Sequence, residues 1–369
     1  MRKHLVLIGG GHAHMLTLAN VGKFTDRGHN VTVVGPSPYH YYSGMGPGML
    51  GGTYSPDDIR FATRHVVEKQ GGRFILGEAD RVDAGVRTVR LKSGETITYD
   101  VLSFNAGSHV PKTNVSGNPP NIFTVKPIEK LLEARQQLLS LLSRKPISIA
   151  IVGGGPSAIE IAGNIWRLSK EAAHPASITI FAGKQLMSRF PDNLRRKVAD
   201  SLRGRGIDIV ESGYAREITS EKITLDSGRS YRSDMIFIAL GVKPSPIFKD
   251  SGLPTGPDGG LLVNRYLQSP QHPALFGGGD CIFFKDRPLN KVGVYAVRQN
   301  PVLFHNLMAA LEGSKLMPFD PGGDYLLIFN MGDGTGILKK KWLMFGGGLA
   351  FFLKDRIDRK FMRKFQSIE

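Results

Sequence analysis

Two glycine-rich turns of the same design occur in this chain of 369 residues, 144 positions apart. The first reads Leu7-Ile8-Gly9-Gly10-Gly11-His12-Ala13-His14. The second reads Ile151-Val152-Gly153-Gly154-Gly155-Pro156-Ser157-Ala158, with Glu160 shortly after. Each follows a short apolar run and precedes a stretch of helical period. That is the strand–turn–helix setting in which N–H groups at a helix start hold a dinucleotide diphosphate. One such turn is weak evidence. Two at this spacing point to one site for a bound flavin and one for a nicotinamide nucleotide.

The stretches between the turns follow one order twice. Residues 4–8 read as a buried parallel strand, 12–24 as a helix and 31–34 as the next strand. Residues 37–45 form a polar, aromatic loop. Residues 59–70 look helical and 73–77 extended. A hairpin turns at Ser93-Gly94, and a strand at 101–104 is closed by Asn105-Ala106-Gly107. The second pass has helices at 129–142, 157–168 and 194–203, strands at 147–152, 178–181 and 207–210, a hairpin at Ser227-Gly228, and a strand ending at Gly241. The expected class is therefore α/β, with two Rossmann-like three-layer nucleotide-binding domains. An FAD-binding domain is expected at residues 1–112 and, after a break in sequence, 246–315. An NAD(P)-binding-like domain is expected at 113–245 and a small C-terminal region at 316–369. Residues 111–120, rich in Pro, Asn and Gly, read as the crossover.

Within the first turn, Gly9 serves the tight bend and Gly11 close backbone approach, with His12 and Ala13 opening the helix. The third small position holds His14 instead. In the second turn Gly153, Gly155 and Ala158 fill all three positions, followed by Pro156, Ser157 and Glu160 around the helix start. Neither following strand ends in the acid that usually meets the ribose hydroxyls: they read Val33-Val34-Gly35-Pro36 and Phe181-Ala182-Gly183-Lys184. Lys184 and Arg189 are free to meet a 2′-phosphate, so NADH and NADPH both remain open as donor. A second domain kept as scaffold, with no nicotinamide nucleotide, is the alternative. Asp280, after a short strand and Gly277-Gly278-Gly279, suits the polyol chain of FAD. The Tyr39–Tyr42 cluster lines the flavin or acceptor pocket, or belongs to the core. His12 and His14, two apart in a glycine turn with no carboxylate beside them, make a poor metal site, and none is expected.

Charge adds a surface argument. The net charge is +16, and residues 339–369 hold nine Lys/Arg against three Asp/Glu, with Trp342, Phe345, Phe351, Phe352, Phe361 and Phe365 among them. A basic segment carrying bulky apolar side chains suits an anionic membrane surface. The alternative is a helix docked on the protein's own core. No apolar run approaches the roughly 18 residues of a membrane span, and none at the start is long enough for a signal-peptide core. A cytoplasmic protein, peripheral on the inner face of the plasma membrane, is the expectation. No nucleic-acid motif accompanies the charge, so nucleic acid is not an expected partner. A homodimer is left open.

Together these residues resemble the pyridine nucleotide-disulfide oxidoreductase-like flavoproteins over nearly the whole chain: Gly9-x-Gly11, Asn105-Ala106-Gly107, Gly153-x-Gly155, Leu240-Gly241-Val242-Lys243-Pro244 and Gly279-Asp280. Within that group the chain is similar to type II NADH dehydrogenases, and to the flavoprotein domain fused to some selenide, water dikinases. The latter likeness rests on Gly10-Gly11-His12-Ala13-His14, Tyr42-Ser43-Gly44-Met45, Val294-Tyr295-Ala296-Val297-Arg298-Gln299 and a tail from Lys354 to Met362. The resemblance implies FAD, NADH or NADPH as donor, and a quinone-like acceptor. It implies flavin contacts at Ser43, Ala106, Gly107 and Val292, and a nicotinamide contact at Gly241. The helix after Val292 would point its positive end at the flavin, helped by Lys291, with Tyr295 and Gln299 near the quinone. The lone Cys281 rules out a redox cysteine pair and argues against sulfide:quinone chemistry. The alternative function is a flavin-binding partner or sensor without NAD(P)H turnover, linked to selenium metabolism.

Overall fold

The computed structural model describes residues 1–112 and 114–369. The expected domain boundary at 112/113 touches residue 113, which lies outside the described residues. Two parallel five-stranded sheets carry the fold. The first runs Leu275–Gly277, Val101–Phe104, His4–Ile8, Asn30–Gly35, Arg73–Leu76. The second runs Ile122–Thr124, Met235–Ile238, Ile147–Val152, Ala176–Phe181, Ile207–Val210. Their strands are near-continuous apolar runs because helices and hairpins cover both faces. Each sheet is accompanied by a three-stranded antiparallel unit, Ala79–Asp83 with Thr88–Leu91 and Thr96–Thr98 in one case, Ala215–Ile218 with Lys222–Leu225 and Ser230–Arg232 in the other. The duplication read from the sequence is thus present as a duplicated topology. Leu275–Gly277 brings the chain back to the edge of the first sheet, beside Val101–Phe104.

Two local expectations are corrected. The helix at 12–24 is two single turns, Met15–Leu18 and Gly22–Thr25. The break falls where Asn20 bonds back to the Leu16 carbonyl and the Gly22 N–H is taken by Gln70 Oε1. Residues 59–70 begin extended at Arg60–Phe61, paired with His40–Tyr41, and are helical only over Thr63–Lys69. The aromatic loop runs directly into a five-residue helix, Gly46–Leu50. Met45, Met49, Leu50 and Tyr54 pack into the core of the second sheet although they lie between strands of the first in the chain.

Beyond residue 315 the strands Leu327–Asn330, Gly336–Lys340 and Leu343–Gly347 form an antiparallel sheet, followed by the helix Gly348–Gln366. This sheet lies on the helix Pro156–Lys170 at a backbone-to-backbone approach, where a Cβ on Gly163 would stand 2.1 Å from the Met331 carbonyl. The final helix is docked, not free. Its Met362 enters the second core and its Phe365 the first. Gln366 donates to the Asp57 and Arg60 carbonyls. The docked alternative for the tail is the one seen: the helix covers the protein's own core with one face, and its other face is exposed. No helix among the described residues is long and apolar enough to cross a membrane.

Candidate functional site

The C-terminal ends of the first sheet's strands open on a cavity of about 740 Å³, within the size range of cofactor sites. Its floor is the first glycine turn. Gly9 has φ +87°, and a Cβ there would stand 2.4 Å from the Asn105 carbonyl oxygen. A Cβ on Gly11 would meet Asn105 Oδ1 at 2.0 Å. Asn105 is the staple of this floor: its Oδ1 accepts from the Ala13 N–H at 3.2 Å, and its Nδ2 donates to the Gly278 carbonyl at 2.6 Å. His14, in place of a small residue, is fully buried and ties the turn to the sheet. Its Nδ1 meets the Gly9 carbonyl at 2.7 Å and its Nε2 the Ser103 hydroxyl at 2.8 Å. It is a packing residue, as its sequence position allowed.

Gly9, Gly11, His12, Ser43, Ala106, Gly107 and Asp280 line this cavity together, and Ala13 lies buried beneath it. The long helix Gly293–Glu312 presents its first turn, Gly293 and Ala296, to the same space, so its positive end faces inward. Asp280 accepts from the Ser108 hydroxyl at 2.8 Å and from the Lys126 ammonium at 2.7 Å, all on Oδ2. Burial pushes its carboxyl up, but Lys126 and these hydrogen bonds outweigh burial and hold it below the usual carboxylate range. Lys126 and the following Pro127, Ile128 and Glu129 also line the cavity. Lys126 escaped the sequence reading because no motif surrounds it; its partner lies 154 positions away.

The aromatic loop supplies one wall. Its half-buried His40 and the turn's buried His12 have ring centroids 5.1 Å apart, and both Nε2 atoms are shielded and lack a partner. Burial pushes His12 down to about 3 and His40 down to about 4, so both are neutral at physiological pH. Tyr42 and Phe361 pack against His12 at 5.0 and 5.7 Å, which brings the final helix to the cavity wall. Tyr42 was one of the open cases. It packs against the second core and donates its hydroxyl to Asp358 Oδ1 at 2.9 Å.

Lys291 and Val292, expected at the flavin, and Tyr295 and Gln299, expected near the quinone, sit together. They line a small cleft that adjoins the main cavity and shares Gly279 and Asp280 with it. Lys291 pairs with Asp258 at 2.7 Å and donates to the Ile282 carbonyl. Gln299 is buried and accepts from the Gly279 N–H at 2.6 Å, so it shapes the turn that presents Asp280. Tyr295 stands edge-on to Tyr325 at 5.5 Å. Tyr295 and Gln299 belong to the helix Gly293–Glu312 itself, and Val292 is its extended N-cap.

The second glycine turn opens to solvent. Gly153 has φ +141°, and a Cβ there would lie 2.3 Å from the Ala239 carbonyl oxygen. Gly155 and Gly241 face open space, where a Cβ would meet nothing within 4 Å. Pro156 is the first residue of the fifteen-residue helix Pro156–Lys170 and Ser157 the next, so its N-terminal N–H groups are available to a diphosphate. Glu160 does not face that space. It is half-buried, and its Oε1 accepts from the Asn330 N–H at 2.8 Å. Burial pushes its carboxyl up to about 7, against the pull of the Lys354 ammonium.

These groups set a pH dependence of stability. Glu160 is raised above its ordinary 4.5, so its contribution is complete below 4.5 and is lost as pH rises to about 7. His12, His14 and His40 are lowered from 6.5 to about 3, 4 and 4, so their contribution is lost as pH falls below 6.5. The two run in opposite directions. Glu160→Gln is expected to melt higher than wild type at pH 8, and the gain is expected to vanish by about pH 4.5. Melting temperatures across that range check this; a constant offset would show that Glu160 does not titrate.

A split parallel sheet with a glycine-floored cavity, joined to a second domain of the same topology, defines a two-dinucleotide-domain flavoprotein. Residues 3–306 match the family model described as pyridine nucleotide-disulphide oxidoreductase, and the chain belongs to that family. It is 23% identical, over 403 aligned positions, to a type II NADH:quinone oxidoreductase of Staphylococcus epidermidis, covering 100% of this chain and 97% of that one. It is 24% identical over 359 positions to the demethylphylloquinone reductase NdbB of Synechocystis, covering 91% and 88%. Its fold matches NDH2 of Plasmodium falciparum, solved with NADH, at a TM-score of 0.80 and 14% identity, covering 99% of both chains. The protein is therefore a flavoprotein oxidoreductase whose cofactors are FAD and a nicotinamide nucleotide.

Proposed function

We propose that the chain is an FAD-dependent NAD(P)H:quinone oxidoreductase that works without a redox disulfide. The cavity on the first sheet carries the reading: a glycine floor for the diphosphate, Asp280 for the polyol, and a helix start facing inward. The unpartnered His12 and His40 nitrogens mark polar groups that this packing leaves for a ligand. Bound there, FAD supplies the two-electron carrier, and the residues described hold and orient it. The family's cysteine chemistry has no support in this chain. Cys281 is buried beneath the Gly278 turn, and burial pushes its thiol up to about 11.

The donor would lie over Gly153, Gly155, Pro156, Ser157 and Gly241, and the quinone acceptor is the reading that the named relatives support. Anaerobic mixing of the yellow protein with NADH or NADPH should bleach the flavin, and a short-chain quinone should restore the colour. Absence of bleaching by either nucleotide would overturn the reading and leave a flavin-binding partner. In the same assay Gly155→Val is expected to raise the half-saturating NAD(P)H concentration about tenfold or more, because a side chain there occupies the diphosphate approach. FAD content and melting temperature should hold, since that side chain enters open space at an ordinary φ of −95°.

A membrane site fits the outer face of the C-terminal region. Trp342 is 89% exposed, Leu349 64%, Phe352 55% and Ile357 49%, far beyond what a solvated helix needs. Exposed Lys340, Lys341, Arg356, Lys360, Arg363 and Lys364 accompany them. This combination supports peripheral attachment to an anionic bilayer, on the cytoplasmic side. Because the final helix is built into both cores, deleting it is a poor test. Trp342→Ser with Phe352→Ser should instead lower partitioning to anionic liposomes about tenfold or more while FAD stays bound. Equal sedimentation of the variant with liposomes would remove the membrane from the reading.

A further inference from the structure

We propose that Lys126 is the tuning cation of the flavin site: an ammonium held against Asp280 whose charge favours the reduced, negatively charged cofactor. The inference rests on the flavin reading above and deepens it. The sequence pointed to Lys291 for this role, and the structure turns Lys291 to Asp258 in the adjoining cleft. Lys126 is the lysine beside Asp280 on the cavity side.

Three observations support the assignment. Lys126 Nζ is fixed by two partners, Asp280 Oδ2 at 2.7 Å and Ser108 Oγ at 3.2 Å, and its side chain is only 26% exposed. A charge so held, in a part-buried cavity, acts at a lower effective dielectric than a surface lysine. The first turn of the helix Gly293–Glu312 lines the same cavity, so its positive end and the ammonium act together. Lys126 also sits just after the strand Ile122–Thr124 of the second sheet, whereas Asp280 follows a strand of the first. The ion pair therefore joins the two nucleotide domains at the flavin cavity.

The need for a cation follows from the charge balance. A hydride leaves NAD(P)H as two electrons and one proton, and NAD(P)⁺ departs. The flavin that receives them gains one net negative charge unless a second proton follows. An uncompensated Asp280 at the adjoining polyol would set a like charge near it. Lys126 offsets the carboxylate in the resting protein and remains beside the cofactor when it is reduced.

The test compares Lys126→Met, Lys126→Arg and Lys291→Met in the full-length, FAD-loaded protein, reading the two-electron midpoint potential and the affinity of the flavin for sulfite. Sulfite addition also places negative charge on the ring, so it reports the same field without any nucleotide or acceptor. Lys126→Met is expected to shift the reduction equilibrium about tenfold, a fall of about 30 mV, and to weaken sulfite binding about tenfold. Lys126→Arg should retain most of both. An unchanged potential and sulfite affinity in Lys126→Met overturns the proposal, as does a fall confined to Lys291→Met. If Lys126→Met alone sheds FAD, Lys126→Met with Asp280→Asn removes the unpaired carboxylate. Its sulfite affinity should still fall below that of Asp280→Asn, and equality would overturn the proposal. Wild-type protein that takes up no FAD defeats the functional reading itself, a result distinct from an unchanged potential.

Discussion

Gly9→Val is expected to yield protein that carries no FAD and melts well below wild type. The backbone at Gly9 is left-handed, with φ +87°, where a β-branched residue is strained by about 1–3 kcal/mol. The steric term is larger. The new Cβ would stand 2.4 Å from the Asn105 carbonyl oxygen and 2.8 Å from its carbonyl carbon, and neither belongs to a flexible side chain. Either the turn or the end of the Val101–Phe104 strand must move. Both choices displace the Asn105 side chain, which holds the Ala13 N–H on one side and the Gly278 carbonyl on the other. The diphosphate floor and the turn carrying Asp280 are thus lost together. Flavin absorbance after purification and a thermal melt check this; a yellow variant of normal stability would contradict it.

Lys354→Met should be nearly as damaging, although it lies in the last helix. Lys354 is buried and donates to Asp358 Oδ2 at 2.5 Å and to the Gly44 carbonyl at 2.7 Å. Burial alone would pull its ammonium down, but Asp358 and Glu160 hold it above the ordinary lysine value. Removing it leaves Asp358 buried without its cation and the Gly44 carbonyl without its donor. The loss of one partner of a buried pair costs about 3–5 kcal/mol. Lys354→Met with Asp358→Asn should recover a large part, since the asparagine keeps a bond to Tyr42 without a charge. Urea midpoints of the two variants test this. Equal midpoints for wild type and Lys354→Met would mean the cluster adds nothing.

Both glycine turns, both sheets and Asp280 were legible in the sequence because they are local. A turn that approaches another backbone demands glycine wherever it occurs, and a doubly covered strand must be apolar throughout. What escaped was set by distant partners. Lys126 has nothing in its neighbourhood to mark it, and its meaning comes from Asp280. Lys291 stood beside a promising helix start, yet sequence proximity does not fix which side of the chain a side chain takes. Glu160 looked like part of the second glycine turn, but helical period turns it toward Asn330. His14 broke the expected small-residue pattern because two hydrogen bonds repay its bulk.

The final helix lies across both cores, with Met362 in one and Phe365 in the other, so it acts as a gauge for the distance between the two nucleotide sites. Hydride transfer needs donor and acceptor atoms about 3–3.5 Å apart. A small tilt of one domain against the other is enough to lose that contact. In this chain the tolerance is set by a segment that lies outside both glycine turns. Anything that grips the outer face of that helix therefore acts on how far a hydride must travel.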